Sequence, residues 1–115
     1  MSNDLSRRLF EFSINVIEYL RKLSSSAENR VIKYQLIKSA TSVGANYEEA
    51  QAASSKMDFI NKVNISLKEI RESNYWLRIL NRLNPNKDIE ELLSESNELK
   101  LILGKIVSKT RKSQQ

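Results

Sequence analysis

Ile60, Val63, Leu67, Ile70 and Leu77 recur at heptad spacing, which places them along one side of a long helix. A helix with a continuous apolar side needs a partner to cover it. Turn-forming material is scarce, with 2 Gly and 1 Pro in 115 residues, while Leu, Ile, Ser, Lys and Glu are abundant. A sheet protein needs many more chain reversals than this supplies, so an all-α fold is predicted.

Caps and breaks divide the chain into four helices. The first is expected over residues 4 to 23, with Leu5, Leu9, Phe12, Val16, Tyr19, Leu20 and Leu23 on one face and Arg7, Arg8, Glu11, Glu18 and Arg21 on the other. It ends in Ser24-Ser25-Ser26, where Ser25 and Glu28 stand in the capping-box relation and predict a second helix over 28 to 53. Ser54-Ser55 breaks that helix, and Ser55 with Asp58 gives a weaker start signal for a third over 56 to 83. Asn84-Pro85-Asn86 is the clearest break, because Pro85 lacks a donor and pushes Asn84 out of the helical region. The fourth helix, over 87 to 110, carries Ile89, Leu92, Leu93, Ser96, Leu99, Leu103 and Ile106 as its buried stripe. Asp88, Glu90 and Glu91 suit the positive end of its dipole. A basic tail, 111 to 115, is expected to fray.

Helices of about 20 residues are roughly 30 Å long. Joined by short connections, they predict one domain over 1–115, an antiparallel up-down-up-down four-helix bundle. Trp76, Ile79 and Leu83 project from the third helix away from its heptad core. Either the rest of the chain covers that helix on both sides, or the patch is an interface between copies of the protein, the reading adopted. Gly44 inside the second helix costs about 1 kcal/mol relative to Ala, which predicts a close helix crossing near Ala40, Ala45 and Tyr47. Asn74 falls in the apolar heptad of the third helix, where a hydrogen-bonded amide would fix register.

The chemistry the sequence excludes is extensive. The absence of His removes the usual general base, the usual zinc ligand and the Glu-x-x-His element of di-iron bundles. With no Cys there is no thiolate metal site and no sign of an oxidising compartment. Glu48 and Glu49, and Glu69 and Glu72, read as surface salt-bridging carboxylates rather than an oxygen-only metal site. No Gly-rich phosphate loop or nucleophile elbow occurs. Neither a signal-peptide pattern nor a membrane-spanning run is present, so the expected protein is cytoplasmic and non-enzymatic, with no cofactor, no metal, no small-molecule substrate and no membrane contact.

The charge balance is 19 basic against 14 acidic residues, a formal +5, which permits nucleic-acid binding without requiring it. Its arrangement says more. Beside the heptad core of the third helix runs a second stripe, Asn61, Asn64, Lys68, Arg71, Tyr75, Arg78 and Arg82, with no acidic member. Lys68 can pair with Glu72, but Arg78 and Arg82 have no acid three or four positions away in either direction. Their charge is free for phosphate or for another subunit, and Tyr75 between them could stack a base or cap the core edge. Lys105, Lys109, Arg111 and Lys112 form a second basic set on the tail. Asn46 and Glu49, at i, i+3 on the second helix, and Glu72 on its neighbour are expected to form a polar cluster that fixes register.

The segment Lys38-Ser39-Ala40-Thr41-Ser42-Val43-Gly44-Ala45-Asn46-Tyr47-Glu48-Glu49-Ala50, followed by Ser55 to Ile60 and by Leu67 to Leu77, resembles the central signature of the four-helix-bundle proteins encoded in bacterial 23S rRNA intervening sequences. The pattern carried over is Ser42, Asn46 and Glu49 on one helix and Phe59, Glu72, Tyr75 and Trp76 on the next. Ala50 stands where the family often has Gly. The resemblance implies an antiparallel bundle that assembles into a ring-shaped homo-oligomer, commonly a pentamer. Related bundle proteins that accompany diversity-generating retroelements bind nucleic acid and a reverse transcriptase through a basic surface. Two readings follow: an accessory protein for nucleic acid, RNA above DNA, and a structural oligomer that docks a protein partner.

Overall fold

The computed structural model describes residues 4–114 and contains four helices: α1, Asp4–Arg21; α2, Ala27–Gln51; α3, Lys56–Leu83; and α4, Lys87–Gln114. They form the predicted antiparallel four-helix bundle, 48 Å long and 23 by 20 Å across. The helix α3 lies between α2 and α4, and α1 packs mainly on α2 with a lighter contact to α4.

Local chemistry sets the helix ends. The cap of α2 falls at Ser26, one residue later than the Ser25–Glu28 pairing predicts: Ser26 is extended, and its Oγ accepts from the Asn29 amide at 3.2 Å. Asn29 holds this register, because its buried Nδ2 donates to the Ser24 carbonyl and Oγ, both at 3.1 Å. Ser55 caps α3 as expected, accepting from the Asp58 amide at 3.0 Å, while Asp58 Oδ2 accepts from the Ser54 amide at 3.2 Å. Lys62 donates to Asp58 as well, and that hydrogen bond is the first reason the Asp58 carboxyl lies below the usual carboxylate range. Asn86 caps α4, with Oδ1 accepting from the Ile89 amide at 2.9 Å. α1 and α2 close two residues earlier than predicted, in tight turns where Leu23 donates to the Leu20 carbonyl and Ala53 to that of Ala50, both at 3.1 Å. The tail does not fray at Thr110: α4 continues to Gln114, and Lys56 Nζ reaches Ser113 Oγ at 3.2 Å.

The core is one cluster running the length of the bundle, in which Leu9, Val16, Leu36, Val43, Ile70, Leu77 and Leu103 are wholly buried. Each such Leu contributes about 1.5–3 kcal/mol relative to exposure. The whole predicted heptad of α3 is buried, and on α4 Leu93 and Ile106 are half-buried while Val107 completes the stripe. Gly44 meets the predicted close crossing, and its neighbour is α1: a Cβ there would lie 3.4 Å from Leu9 Cβ.

Serines thread the helix crossings. Ser39 and Ser73 share a buried 2.8 Å hydrogen bond between α2 and α3, and Ser66 donates to the Val43 carbonyl at 2.8 Å. Ser13 on α1 donates to the Ala40 carbonyl at 3.1 Å. The register role expected of Asn46, Glu49 and Glu72 belongs to these groups instead. Asn46 turns back along its own helix to Ser42 at 2.9 Å, Glu49 is exposed, and Glu72 is exposed and accepts from Trp76 Nε1 at 3.1 Å. No hydrogen bond among the described residues joins the three, because short hydroxyls bridge closely packed helices where long carboxylates reach water instead.

Candidate nucleic-acid interface

Lys68, Arg71, Tyr75, Arg78 and Arg82 all emerge exposed along one side of α3, as the stripe predicts. Below them the side facing the core is anchored by Asn74, which is 3% exposed. Its Nδ2 donates to Ser96 Oγ at 2.8 Å and to Asn97 Oδ1 at 2.9 Å, tying α3 to α4 as a register-fixing amide should. Its Oδ1 accepts from Arg78 Nε at 3.1 Å. The Arg78 guanidinium also lies 5.5 Å from the centroid of the Tyr75 ring, in cation–π range, and Trp76 meets Tyr75 edge-on at 5.4 Å. Arg78 and Tyr75 are thereby positioned in advance, which lowers the ordering cost of any ligand they meet.

Two shallow hollows flank this point. One, about 270 Å³, is lined by Tyr75, Arg78, Ile79, Arg82 and Leu83. The other, about 470 Å³, lies between α3 and α4 and is lined by Arg71, Lys100, Leu101, Gly104, Lys105 and Ser108. The fold therefore brings Arg71 of the α3 stripe and Lys105 of the tail set into one groove. Lys109, Arg111 and Lys112 are exposed farther along α4, outside it. The sequence reading missed Lys100 and Gly104, although the rule applied to Arg78 and Arg82 would have found the lysine. Neither Lys100 nor Lys105 nor Arg71 has an acid three or four positions away. The possible Lys68–Glu72 pair does not form either, since Glu72 holds Trp76. None of the ion pairs among the described residues uses these cations.

The apolar patch differs from expectation. Trp76 and Ile79 are half-buried against their own core, and of the three only Leu83, at 57%, is well exposed. The sequence pattern identifies a side of α3 but not the neighbouring helix that partly covers it. Other well-exposed apolar side chains include Phe10 on α1, Val31 and Tyr34 on α2 and Leu101 on α4.

Acidic groups gather elsewhere. A cleft of about 420 Å³ between α1 and α4 is lined by Glu11, Glu18, Asp88, Glu91 and Glu95, with Arg8 and Lys22 among them. Arg8 bridges the helices there, donating to both Glu95 oxygens at 2.7 and 2.8 Å and to Glu98, and these bonds raise its already high pKa. Tyr19 lines the same cleft with its hydroxyl buried and outside hydrogen-bonding geometry. Burial is the main cause that pushes its pKa up, while nearby Asn86 acts in the opposite direction. Charge is thus segregated: the α3–α4 groove is cationic, and the α1–α4 cleft is predominantly anionic. Among the described residues no group of three or more His, Cys, Asp or Glu could hold a metal ion, and no helix is long and apolar enough to cross a membrane.

Comparison with curated proteins finds no match. Among solved structures, the chain is similar to a protein of unknown function from the S23 ribosomal protein family of Bacteroides thetaiotaomicron. The two are 34% identical with a TM-score of 0.81, over 90% of this chain and 97% of that one. The 23S rRNA-intervening sequence protein family matches residues 2–105, spanning the bundle through the basic groove of α4. With nearly the whole chain matched and the four-helix architecture shared, the protein belongs to the 23S rRNA-intervening sequence protein family.

Proposed function

We propose that this protein is a non-enzymatic, cytoplasmic accessory protein that binds nucleic acid, structured RNA above DNA, through the α3–α4 basic face. One observation carries the reading: Arg71, Arg78, Arg82, Lys100 and Lys105 share this face, and none has an acid three or four positions away on its own helix, where a side chain could pair with it. Cations on a merely solvated helix surface are usually interleaved with acids at i, i+3 or i, i+4. Here the nearest dense acidity is on the α1–α4 cleft, where it would repel a phosphate backbone and orient the protein on it. The family name and the S23 ribosomal family of the similar structure accord with an RNA ligand. Assembly into a ring, a pentamer in the family this chain resembles, would multiply a weak face by the number of subunits.

The test is binding to fluorescent ribosomal RNA fragments across a salt series. Each phosphate neutralised contributes a slope of about −0.7 to −0.9 in log affinity against log salt. Replacing Arg78 and Arg82 together with Gln should weaken all sequences alike and flatten the slope by about 1.5. If the double variant keeps wild-type affinity and slope while its oligomeric state is unchanged, the face is only solvated. The exposed Phe10, Val31 and Tyr34 then favour the second reading, a structural oligomer that docks a protein.

A further inference from the structure

Gly104 is a helix-interior glycine without a structural reason. It lies well inside α4, Lys87–Gln114, and its φ is not positive, so the backbone does not require glycine. A Cβ placed on it would meet nothing within 4 Å. Gly44 provides the contrast, because a Cβ there would touch Leu9. A glycine in a helix interior destabilises by about 0.5–1 kcal/mol relative to Ala, and nothing in the packing offsets that at residue 104.

What the missing side chain does is leave the α3–α4 groove open. Gly104 lines that groove together with Arg71 on one wall, Lys100 and Lys105 on the other, and the Ser108 hydroxyl. Three cations that take part in none of the ion pairs among the described residues converge on a strip of helix that has no side chain. Such an arrangement suits a ligand that is anionic and that must come close to the backbone, as a phosphodiester does. Tyr75 stands one helical turn from Arg71, about 6 Å along α3, a distance that a single nucleotide bridges from phosphate to base. Tyr75 is 51% exposed, and its ring is already positioned by Arg78.

We infer that the Arg71–Gly104 groove is a phosphate subsite for single-stranded nucleic acid, whose adjoining base stacks on Tyr75. This rests on the nucleic-acid reading of the basic face and makes it specific. A paired duplex has its bases stacked on one another and cannot offer one to Tyr75, so unpaired strands are preferred. Arg71, Lys100 and Lys105 neutralise the backbone, Ser108 adds a hydroxyl, and Gly104 sets the depth to which the strand descends.

The experiment compares wild type with Gly104→Ala, Tyr75→Ala, Lys100→Gln/Lys105→Gln and Arg78→Gln/Arg82→Gln. Each is assayed for affinity toward a fluorescent oligouridylate and a matched duplex over a salt series. Gly104→Ala should unfold at an equal or higher urea midpoint, since it gains helix propensity, yet bind oligouridylate about tenfold more weakly. Tyr75→Ala should lose about fivefold or more on oligouridylate and little on the duplex. The lysine pair should flatten the salt slope by about 1.4. If Gly104→Ala and the lysine pair bind like wild type while Arg78→Gln/Arg82→Gln is impaired, the subsite is overturned and the wider basic face stands. If the wild type binds neither oligonucleotide nor ribosomal RNA fragments, the face itself fails and the subsite with it. A change of oligomeric state in Gly104→Ala at unaltered affinity overturns the subsite in favour of a second copy seated in the groove.

Discussion

Asn74 and Arg78 share a hydrogen bond, Nε to Oδ1 at 3.1 Å, that links a buried helix-to-helix tie to an exposed cation. Asn74 spends both amide hydrogens on α4, to Ser96 and Asn97, and its oxygen on the arginine one turn ahead. Removing the amide leaves the buried Ser96 oxygen without its donor inside the packed interface, while the exposed Asn97 oxygen can turn to water. Asn74→Ala should therefore cost about 1–3 kcal/mol in urea unfolding. It should also weaken RNA binding without removing any charge, because Arg78 loses the group that holds it. An Asn74→Ala protein as stable as wild type would show that the tie is incidental.

Leu9 and Gly44 define the α1–α2 crossing. A Cβ on Gly44 would make an ordinary contact with Leu9 at 3.4 Å, with the Leu9 backbone just behind it at 3.6 Å. Gly44→Ala should then change stability by under about 1 kcal/mol, since helix propensity and tighter packing oppose each other. Gly44→Leu has no room and should cost about 1–3 kcal/mol or more. Differential scanning calorimetry separates the two, and equal melting temperatures for the Ala and Leu variants would show that α1 yields freely.

Much of this architecture is legible in the sequence because helical periodicity and caps are local signals. The heptad of α3 reads directly, and Ser55 and the Asn84-Pro85-Asn86 break mark boundaries through their own backbone chemistry. The α2 cap slips by one because three consecutive serines offer competing caps, and Asn29, reaching back to Ser24, decides among them. The length of α4 is missed because the contact of Lys56 with Ser113 is between residues far apart in the chain. At the candidate site, the exposed stripe of α3 is readable, whereas the meeting of Arg71 with Lys100 and Lys105 depends on the register of two helices. That register is held by Asn74 with Ser96; the sequence singles out Asn74 as a register-fixing amide but not the partner it meets on α4.

Glu69 gives a dependence on pH. Its pKa is raised chiefly by burial and then by the neighbouring Glu72, with Lys38 and Lys68 acting in the opposite direction. A carboxyl with a folded pKa above its unfolded value favours folding when protonated. Its contribution is therefore fully present below the unfolded pKa and is lost as pH rises through the folded one. Glu69→Gln should be more stable than wild type at neutral pH, by under about 1 kcal/mol given its partial exposure. The difference should vanish in acid, below the ordinary glutamate range. Urea midpoints measured from acid to neutral pH test this, and a Gln variant less stable than wild type at neutral pH would reverse the assignment.

An oligomer interface and a bound nucleic acid would compete for this surface. Leu83, the well-exposed member of the apolar patch on α3, lies in the hollow with Arg78 and Arg82, so an interface built there would cover the cations proposed to meet phosphate. Trp76 and Ile79 are already half-covered by their own core, which reduces what they could bury against a neighbour. Phe10, Val31 and Tyr34 on α1 and α2 are 57–65% exposed and lie outside both basic hollows. An oligomer that keeps its basic face open should use these residues. Phe10→Glu with Tyr34→Glu is expected to yield a smaller species in light scattering, with the urea midpoint little changed because neither side chain is in the core. Leu83→Glu should leave the assembly intact and reduce RNA affinity by adding an acid among the arginines. If Leu83→Glu dissociates the oligomer and the α1–α2 pair of substitutions does not, the interface lies on α3, and the arginines pair across it with another copy rather than with phosphate.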